Sequence, residues 1–314
     1  LVRFGALITV CIAAGFAASL IVLPALVVLL RPRFLTEPPR RVTPPGVTVG
    51  LLLIGGTLLA LPGAAKAENG ELPTGDQIAR RVNARDDGRQ VSRNMTIELI
   101  DRRDRRRRRV TRTFRKDYEN DRRRVIFYLE PTNVKDTAFL SIDYDDPDRE
   151  DDRWLYLPAA RRVRRVAAAD RGDYFLGTDF SYEDIANETK INVDDFTRTT
   201  IGVEEVDGRR CFVMDAVPID DETMHELRYS RVRSWVDAEQ WILRKAEYWD
   251  ERGRPLKVIR FLDIREVDGI LTAHKLAAEH RQTDHRSVLL FSDVDYRTLV
   301  DDDTFTVRAL RRGR

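Results

Sequence analysis

Four histidines, a run of carboxylates, one cysteine in the exported part and two arginine clusters are the features of this chain that could do chemistry. His274, His280 and His285 are six and five residues apart, which matches neither helical nor short-loop metal-ligand spacing. On a strand His274 and His280 share a side but stand about 20 Å apart. With His225 they read as solvated or hydrogen-bonded side chains, and no metal is expected. "DYDDPDREDD", residues 143–152, lacks the glycine and closing glutamate of a calcium loop and reads as a polar hairpin. Ser181 and Ser234 have no nucleophile-elbow setting. Arg209 and Arg210 precede Cys211 and would lower its thiol pKa, but its alternation with Val213 places it in a core. No glycine-rich phosphate loop follows a strand. The sequence therefore offers no catalytic residue and no cofactor site, and the expected protein is not an enzyme.

The arginines raise a different question. "DRRDRRRRR", residues 101–109, falls at an expected hairpin turn with few aromatic residues around it. Nucleic-acid binders set aromatic platforms beside their charge, so no nucleic-acid partner is expected; contact with an anionic membrane surface remains as a reading of the charge. In "RRVRR", residues 161–165, a strand would send Arg162 and Arg164 one way and Arg161, Val163 and Arg165 the other. These arginines either pair with nearby carboxylates on a solvated face or guide a polar group at a cavity mouth. "GDYFLGTDFSYEDI", residues 172–185, follows with Tyr174, Phe175, Phe180 and Tyr182, all needing apolar surroundings. Ser181 and Asp184 suit the start of a short helix. This connector is either a structural plug or a cover over an apolar cavity.

The elements that position these residues come after two apolar segments. Phe4 to Leu30 is 27 residues without a charge and is followed by Arg31 and Arg33, as for a membrane-spanning helix leaving on the cytoplasmic side. Val47 to Leu61, between Arg40–Arg41 and "AAKA", has the layout of a cleaved secretory signal. The chain thus divides into a membrane segment at 1–35, a linker and signal-like segment at 36–67, and an exported domain at 68–314. Cleavage would release that domain near Glu68; without cleavage it would stay tethered. No methionine precedes Met95, so translation from near Val42 or Val47 is a further expectation. The exported part has 48 basic and 51 acidic residues, too balanced for a general nucleic-acid binder, and its single cysteine excludes an internal disulfide framework.

Within that domain, Asp76–Arg85 reads as a short helix with Thr74 near its start and Ile78 and Val82 on one face. About ten strands follow: the alternation at Met95–Leu99, then Val110–Tyr118, Arg124–Leu129, Thr137–Tyr144, Trp154–Leu157, Arg209–Val217, Glu226–Val236, Trp241–Trp249, Leu256–Ile264, Ile270–Ala277 and Val288–Val294. Asp207-Gly208 and Asp268-Gly269 are hairpin turns. Links of two to six residues imply antiparallel neighbours. In Glu226–Val236, Leu227, Tyr229 and Trp235 would share a side opposite Val232 and Val236. Apolar residues on both faces fit a strongly curved sheet with a cover or a two-layer sandwich.

"WLYLPAARRVRRV" followed by "GDYFLGTDFSYEDI" resembles the outer-membrane lipoprotein-sorting protein family, of the LolA/LolB-like superfamily in its longer treponemal-type branch. "RVRSWVDAEQWILRKAEYWD", "GILTAHKLAAEH", "SVLLFSDVDY" and "DDDTFTVRALRR" extend the resemblance over about 85–310. It implies a periplasmic protein, mainly β, whose curved antiparallel sheet forms an incomplete barrel with a helical or loop lid, carrying acyl lipid or lipoprotein in an apolar interior. The resemblance assigns Trp154, Tyr156, Phe175 and Phe180 to the wall or lid. Trp235 joins them as a lipid-contact candidate or else packs the sheet, and Arg165 would guide the polar head at the rim. There is no lipid-anchor cysteine after the signal-like segment, as in a soluble carrier. Segment 4–34 resembles the last helix of a resistance-nodulation-division superfamily exporter, which makes such a pump an expected partner. The alternative is a cell-envelope glycan- or protein-binding module that presents the same aromatics on its surface.

Overall fold

The computed structural model describes residues 72–146 and 148–313; the membrane and signal-like segments read at 1–35 and 36–67 lie outside the described residues. Among the described residues no helix is long and apolar enough to cross a membrane. The first helix, α1 (Gly75–Ala84), starts where its sequence signal lies: Thr74 and Gln77 form a reciprocal capping box, and Ile78 and Val82 are buried on one face.

Six strands follow: β1 (Gln90–Ile100), β2 (Arg106–Asp117), β3 (Asp121–Glu130), β4 (Ala138–Tyr144), β5 (Asp152–Leu157) and β6 (Arg162–Val166). A connector, 167–195, contains the short helix α2 (Tyr182–Ala186). It leads to β7 (Phe196–Val206), β8 (Arg209–Pro218), the helix α3 (Asp221–Leu227), then β9 (Arg231–Asp237), β10 (Leu243–Trp249), β11 (Pro255–Val267), β12 (Ile270–His280) and β13 (Arg286–Asp295). A last helix, α4 (Val307–Arg312), ends the described chain.

All thirteen strands belong to one antiparallel sheet ordered β6-β5-β4-β3-β2-β1-β13-β12-β11-β10-β9-β8-β7. Each half is a meander, and the halves join in the middle where β1 pairs with β13. The outermost strands β6 and β7 do not pair, so the curved sheet is not closed into a barrel, and it is not a sandwich. The Asp-Gly turns behave as read: Asp207 and Gly208 have φ of 51° and 75°, Asp268 and Gly269 of 54° and 86°.

Period-two alternation divides the core. Met95, Ile97 and Leu99 point to the inner face with Ile126, Tyr128 and Leu276, and the aromatics of the connector pack on them. Phe114, Val125, Phe127 and Leu140 point to the outer face, where Phe305 and Leu310 of the C-terminal segment cover them. Helix α1 lies on the inner face at the other end, against Phe212, Met214, Val236 and Leu243.

Two readings of the strands need correction. Strand β7 was not anticipated, because its Thr-rich sequence shows no apolar alternation. The expected strand Glu226–Val236 begins as helix α3: Asp220 caps it by accepting from the Thr223 amide at 2.8 Å, and Arg228 ends it at φ 64°. The strand proper starts at Arg231, so Leu227 and Tyr229 do not share a strand face with Trp235.

Trp235 sits on the outer face, 4% exposed, against Cys211 and Val213. Its indole N–H donates to Glu204 at 2.8 Å, and the Lys245 ammonium lies 4.0 Å from the ring centroid. Replacing it with alanine should destabilise the domain by about 3–5 kcal/mol. Chemical denaturation measures this, and a loss under about 1 kcal/mol would mean that the ring is not a packing element.

Candidate functional site

The connector crosses the inner face as a tight aromatic knot. Ser181 and Asp184 form the expected capping box of α2, and the Phe175 amide donates to the Phe180 carbonyl at 2.7 Å. Phe175 meets Phe139 and Tyr182 edge-on at 5.2 and 5.5 Å. Gly172 runs so close to α3 that a Cβ would stand 2.4 Å from the Leu227 carbonyl oxygen. Arg109 donates to the Leu176 carbonyl at 2.6 Å.

Charge pins this knot to the sheet. Asp179 accepts from the Ser287 hydroxyl at 2.6 Å and lies 2.8 Å from His285 Nδ1. Arg153 on β5 donates to Glu183 at 3.1 Å. Lys257 on β11 pairs with Asp184. Glu188 takes Arg93 from β1 and Arg124 from β3, the latter at 2.7 Å. Beyond it, Thr189 and Lys190 reach Asp87 at 2.7 and 3.0 Å, a carboxylate also held by Arg115 and Arg122. Burial alone would raise the Glu188 pKa, but Arg93 and Arg124 outweigh it and hold the carboxyl at about 2.

Between connector and sheet lies an apolar cavity of about 90 Å³. Phe180 forms its connector wall; Phe196, Met214, Val232 and Leu243 are among the strand residues opposite. Tyr229 also lines it, stacked on Phe196 at 6.2 Å and edge-on to Tyr248 at 5.2 Å. Burial raises both phenol pKa values well above the usual range, so both hydroxyls stay neutral. Glu183, Asn187, Lys190, Ile191 and Asn192 also line a second, polar cleft of about 660 Å³ alongside.

Of the residues singled out from sequence, Phe180 lines this cavity and Phe175 packs in the adjoining inner core. Trp154 and Tyr156 do not: their strand partner Leu155 points inward, and they lie half-buried on the outer face against the C-terminal segment. Trp235 is also on the outer face, while its neighbour Ser234 lines the cavity. Arg165 pairs across the strands with Trp154, stays exposed, and bonds Asp152 at 2.8 Å, away from the cavity. Cys211 is buried and its thiol is pushed up to about 11. Sequence reasoning missed Phe196, Tyr229 and Lys257. Lys257 carried a readable signal, a lone charge in step with Ile259 on an otherwise apolar stretch.

A family model described only as an uncharacterized protein matches residues 120–312. A solved domain from Vibrio parahaemolyticus assigned as an outer membrane lipoprotein-sorting protein is 26% identical, with a TM-score of 0.69 over 76% of this chain and 98% of its own. This chain belongs to the family of that model and is similar in sequence and fold to the lipoprotein-sorting domain. A DUF1329 family protein from Desulfovibrio piger is 27% identical, with a TM-score of 0.69 over 75% of this chain and 97% of its own. A LolA superfamily protein from Nitrosomonas europaea shares the fold at 21% identity, with a TM-score of 0.57 over 76% of this chain and all of its own. No curated protein matches.

The depressed Glu188 pKa fixes the direction of a pH effect. Its contribution to stability is complete above the ordinary value of 4.5 and is lost as pH falls through about 2. Urea denaturation from pH 7 to 2 should show this loss. Glu188→Gln should lower stability at pH 7, because it leaves Arg93 and Arg124 buried without their counter-charge, and should flatten the acid limb. An unchanged acid limb would show that the clamp does not titrate as a unit.

Proposed function

We propose that the exported domain is a periplasmic carrier that holds acyl lipid, or the acyl chains of a lipoprotein, under its connector without altering them. The observation that carries this reading is an apolar cavity closed by a cover whose attachments are ion pairs and hydrogen bonds. A cavity of about 90 Å³ is smaller than the ~150 Å³ engineered cavity that accepts benzene, so a long chain requires the connector to shift. Each methylene then buried returns about 0.8 kcal/mol, enough for several to offset the loss of one polar attachment. The sorting role assigned to the Vibrio relative supports this reading and a place in the cell envelope. The pump-like segment near the N-terminus suggests a resistance-nodulation-division exporter as donor or acceptor of the cargo.

A surface-binding module would present an aromatic strip to solvent. Among the described residues Tyr174 is the exposed aromatic, and this favours the carrier. Native mass spectrometry of detergent-free protein, with lipid extraction, should find bound acyl lipid. Ala216→Phe and Val232→Phe, which fill the cavity, should reduce uptake of a fluorescent acyl probe at least about tenfold. An empty protein that also refuses the probe would overturn the carrier reading.

A further inference from the structure

We propose that the carried amphiphile has an anionic head, a carboxylate or phosphate group, which docks on Arg198 at the β7 side of the apolar cavity; this rests on the carrier reading and names its class of cargo. Arg198 lines that cavity from β7, paired across the strands with Ala216 of β8, and its side chain is 1% exposed. The start of α1 packs directly on it: a Cβ on Gly75 would stand 2.6 Å from the Arg198 Cβ. Its two Nη groups donate to the main-chain carbonyls of Asn192, Val193 and Phe196, the last two at 2.9 and 3.0 Å. Its Nε–H is buried and has no hydrogen-bond partner among the described residues. A buried donor left unmade is costly, and a charged oxygen is the acceptor that satisfies it best. Ala216 is also the strand partner of Val232, so the apolar wall for the first carbons of a chain begins beside the guanidinium.

The charges of the cavity wall single out the same residue. Glu183, Asp184, Glu188, Lys190 and Arg198 are its charged lining. Four of them pair with side chains that are themselves buried: Glu183 with Arg153, Asp184 with Lys257, Glu188 with Arg93 and Arg124, and Lys190 with Asp87. Arg198 has Asp76 instead, 3.4 Å away and 61% exposed, where water weakens the attraction. Of the other carboxylates nearby, Asp195 is held by Arg171 at 2.5 Å and Asp194 is exposed. The carbonyls on the Nη groups carry no net charge. Burial therefore depresses the Arg198 pKa, and Asp76 only partly opposes it. An anion in the cavity would supply the missing counter-charge, whereas an ammonium would find every carboxylate of the wall already engaged. The shared chemistry is an acyl chain on an anionic head, whether a free fatty acid or an anionic phospholipid.

Matched chains with different heads test this. Competition against a fluorescent acyl probe, below micelle concentrations and at about pH 8 so that the acids are ionised, should rank dodecanoate or dodecyl phosphate above dodecanol and dodecanol above dodecylamine. The better anion should bind at least about fivefold tighter than the alcohol. That preference should persist in about 0.5 M salt, because a buried pair is screened little, whereas attraction to the exposed arginines of the 101–109 turn would fade. Arg198→Lys, which keeps the charge and removes the planar fork, should cut the preference to less than about twofold. Asp76→Asn, on the exposed start of α1, removes the competing carboxylate and should tighten dodecanoate at least about twofold while leaving dodecanol unchanged, a gain that partial unfolding could not mimic. Lauroyl lysophosphatidylglycerol identifies the source: binding tighter than dodecanoate points to a phospholipid, and weaker binding to a free fatty acid. Dodecanol binding as tightly as both anions, a preference lost in salt, or one that survives intact in folded Arg198→Lys would overturn the inference. Equal binding of all heads would leave the carrier reading standing and remove the anion; binding of none would end both.

Discussion

Buried positive charge is the constraint on which this molecule turns. Arg93, Arg115, Arg124, Arg153 and Lys257 all reach the inner face of the sheet from different strands, and each is almost fully buried. A guanidinium or ammonium left there unpaired costs several kcal/mol, more than most single contacts return. Glu183, Asp184 and Glu188 on the connector, and Asp87 before β1, supply the counter-charges. Sheet and connector therefore need one another. A curved sheet of apolar strands would collapse on any apolar plug, but this connector, in this register, neutralises four of the five, and Asp87 takes the fifth, Arg115.

The same constraint makes the connector's attachment specific. Aromatic contacts around Phe139, Phe175 and Tyr182 give the connector its shape, and the ion pairs give it its address. Charge pairs depend steeply on distance and hydration. Water admitted at one end weakens them in turn, whereas an apolar plug offers no such gradation. The polar cleft beside the cavity shares Glu183 and Lys190 of the connector with it.

Much of the architecture was legible in the sequence because it rests on local signals. The Thr74–Gln77 and Ser181–Asp184 boxes and the Asp-Gly turns are short-range chemistry and reappear in place. The curved antiparallel sheet followed from short links between alternating strands, and the incomplete barrel from the family resemblance. The site was less legible. Trp154, Tyr156 and Trp235 drew attention as aromatics, but strand parity sends them outward, and parity is fixed by the register with partners far away in sequence. Tyr229 went unassigned because a cap at Asp220 turned an apparent strand into a helix and a short link. The useful signal was the inward arginine. In "VSRNMTIELI" Arg93 is in step with Met95 and Ile97, and a charge on the apolar side of a strand calls for a distant carboxylate.

The seam between β1 and β13 has a consequence for assembly. Ser92 faces Asp295 and Leu99 faces Ser287, so the two halves of the sheet join through residues some two hundred positions apart. The hairpins on either side form from near neighbours, but the central ladder must wait for the last strand. A chain delivered N-terminus first keeps Met95, Ile97 and Leu99 open along that edge until β13 arrives. Closing so long a loop is slow, and an apolar edge open in the meantime invites aggregation. The topology thus makes the domain a late folder, dependent during its delivery on whatever shields that first strand.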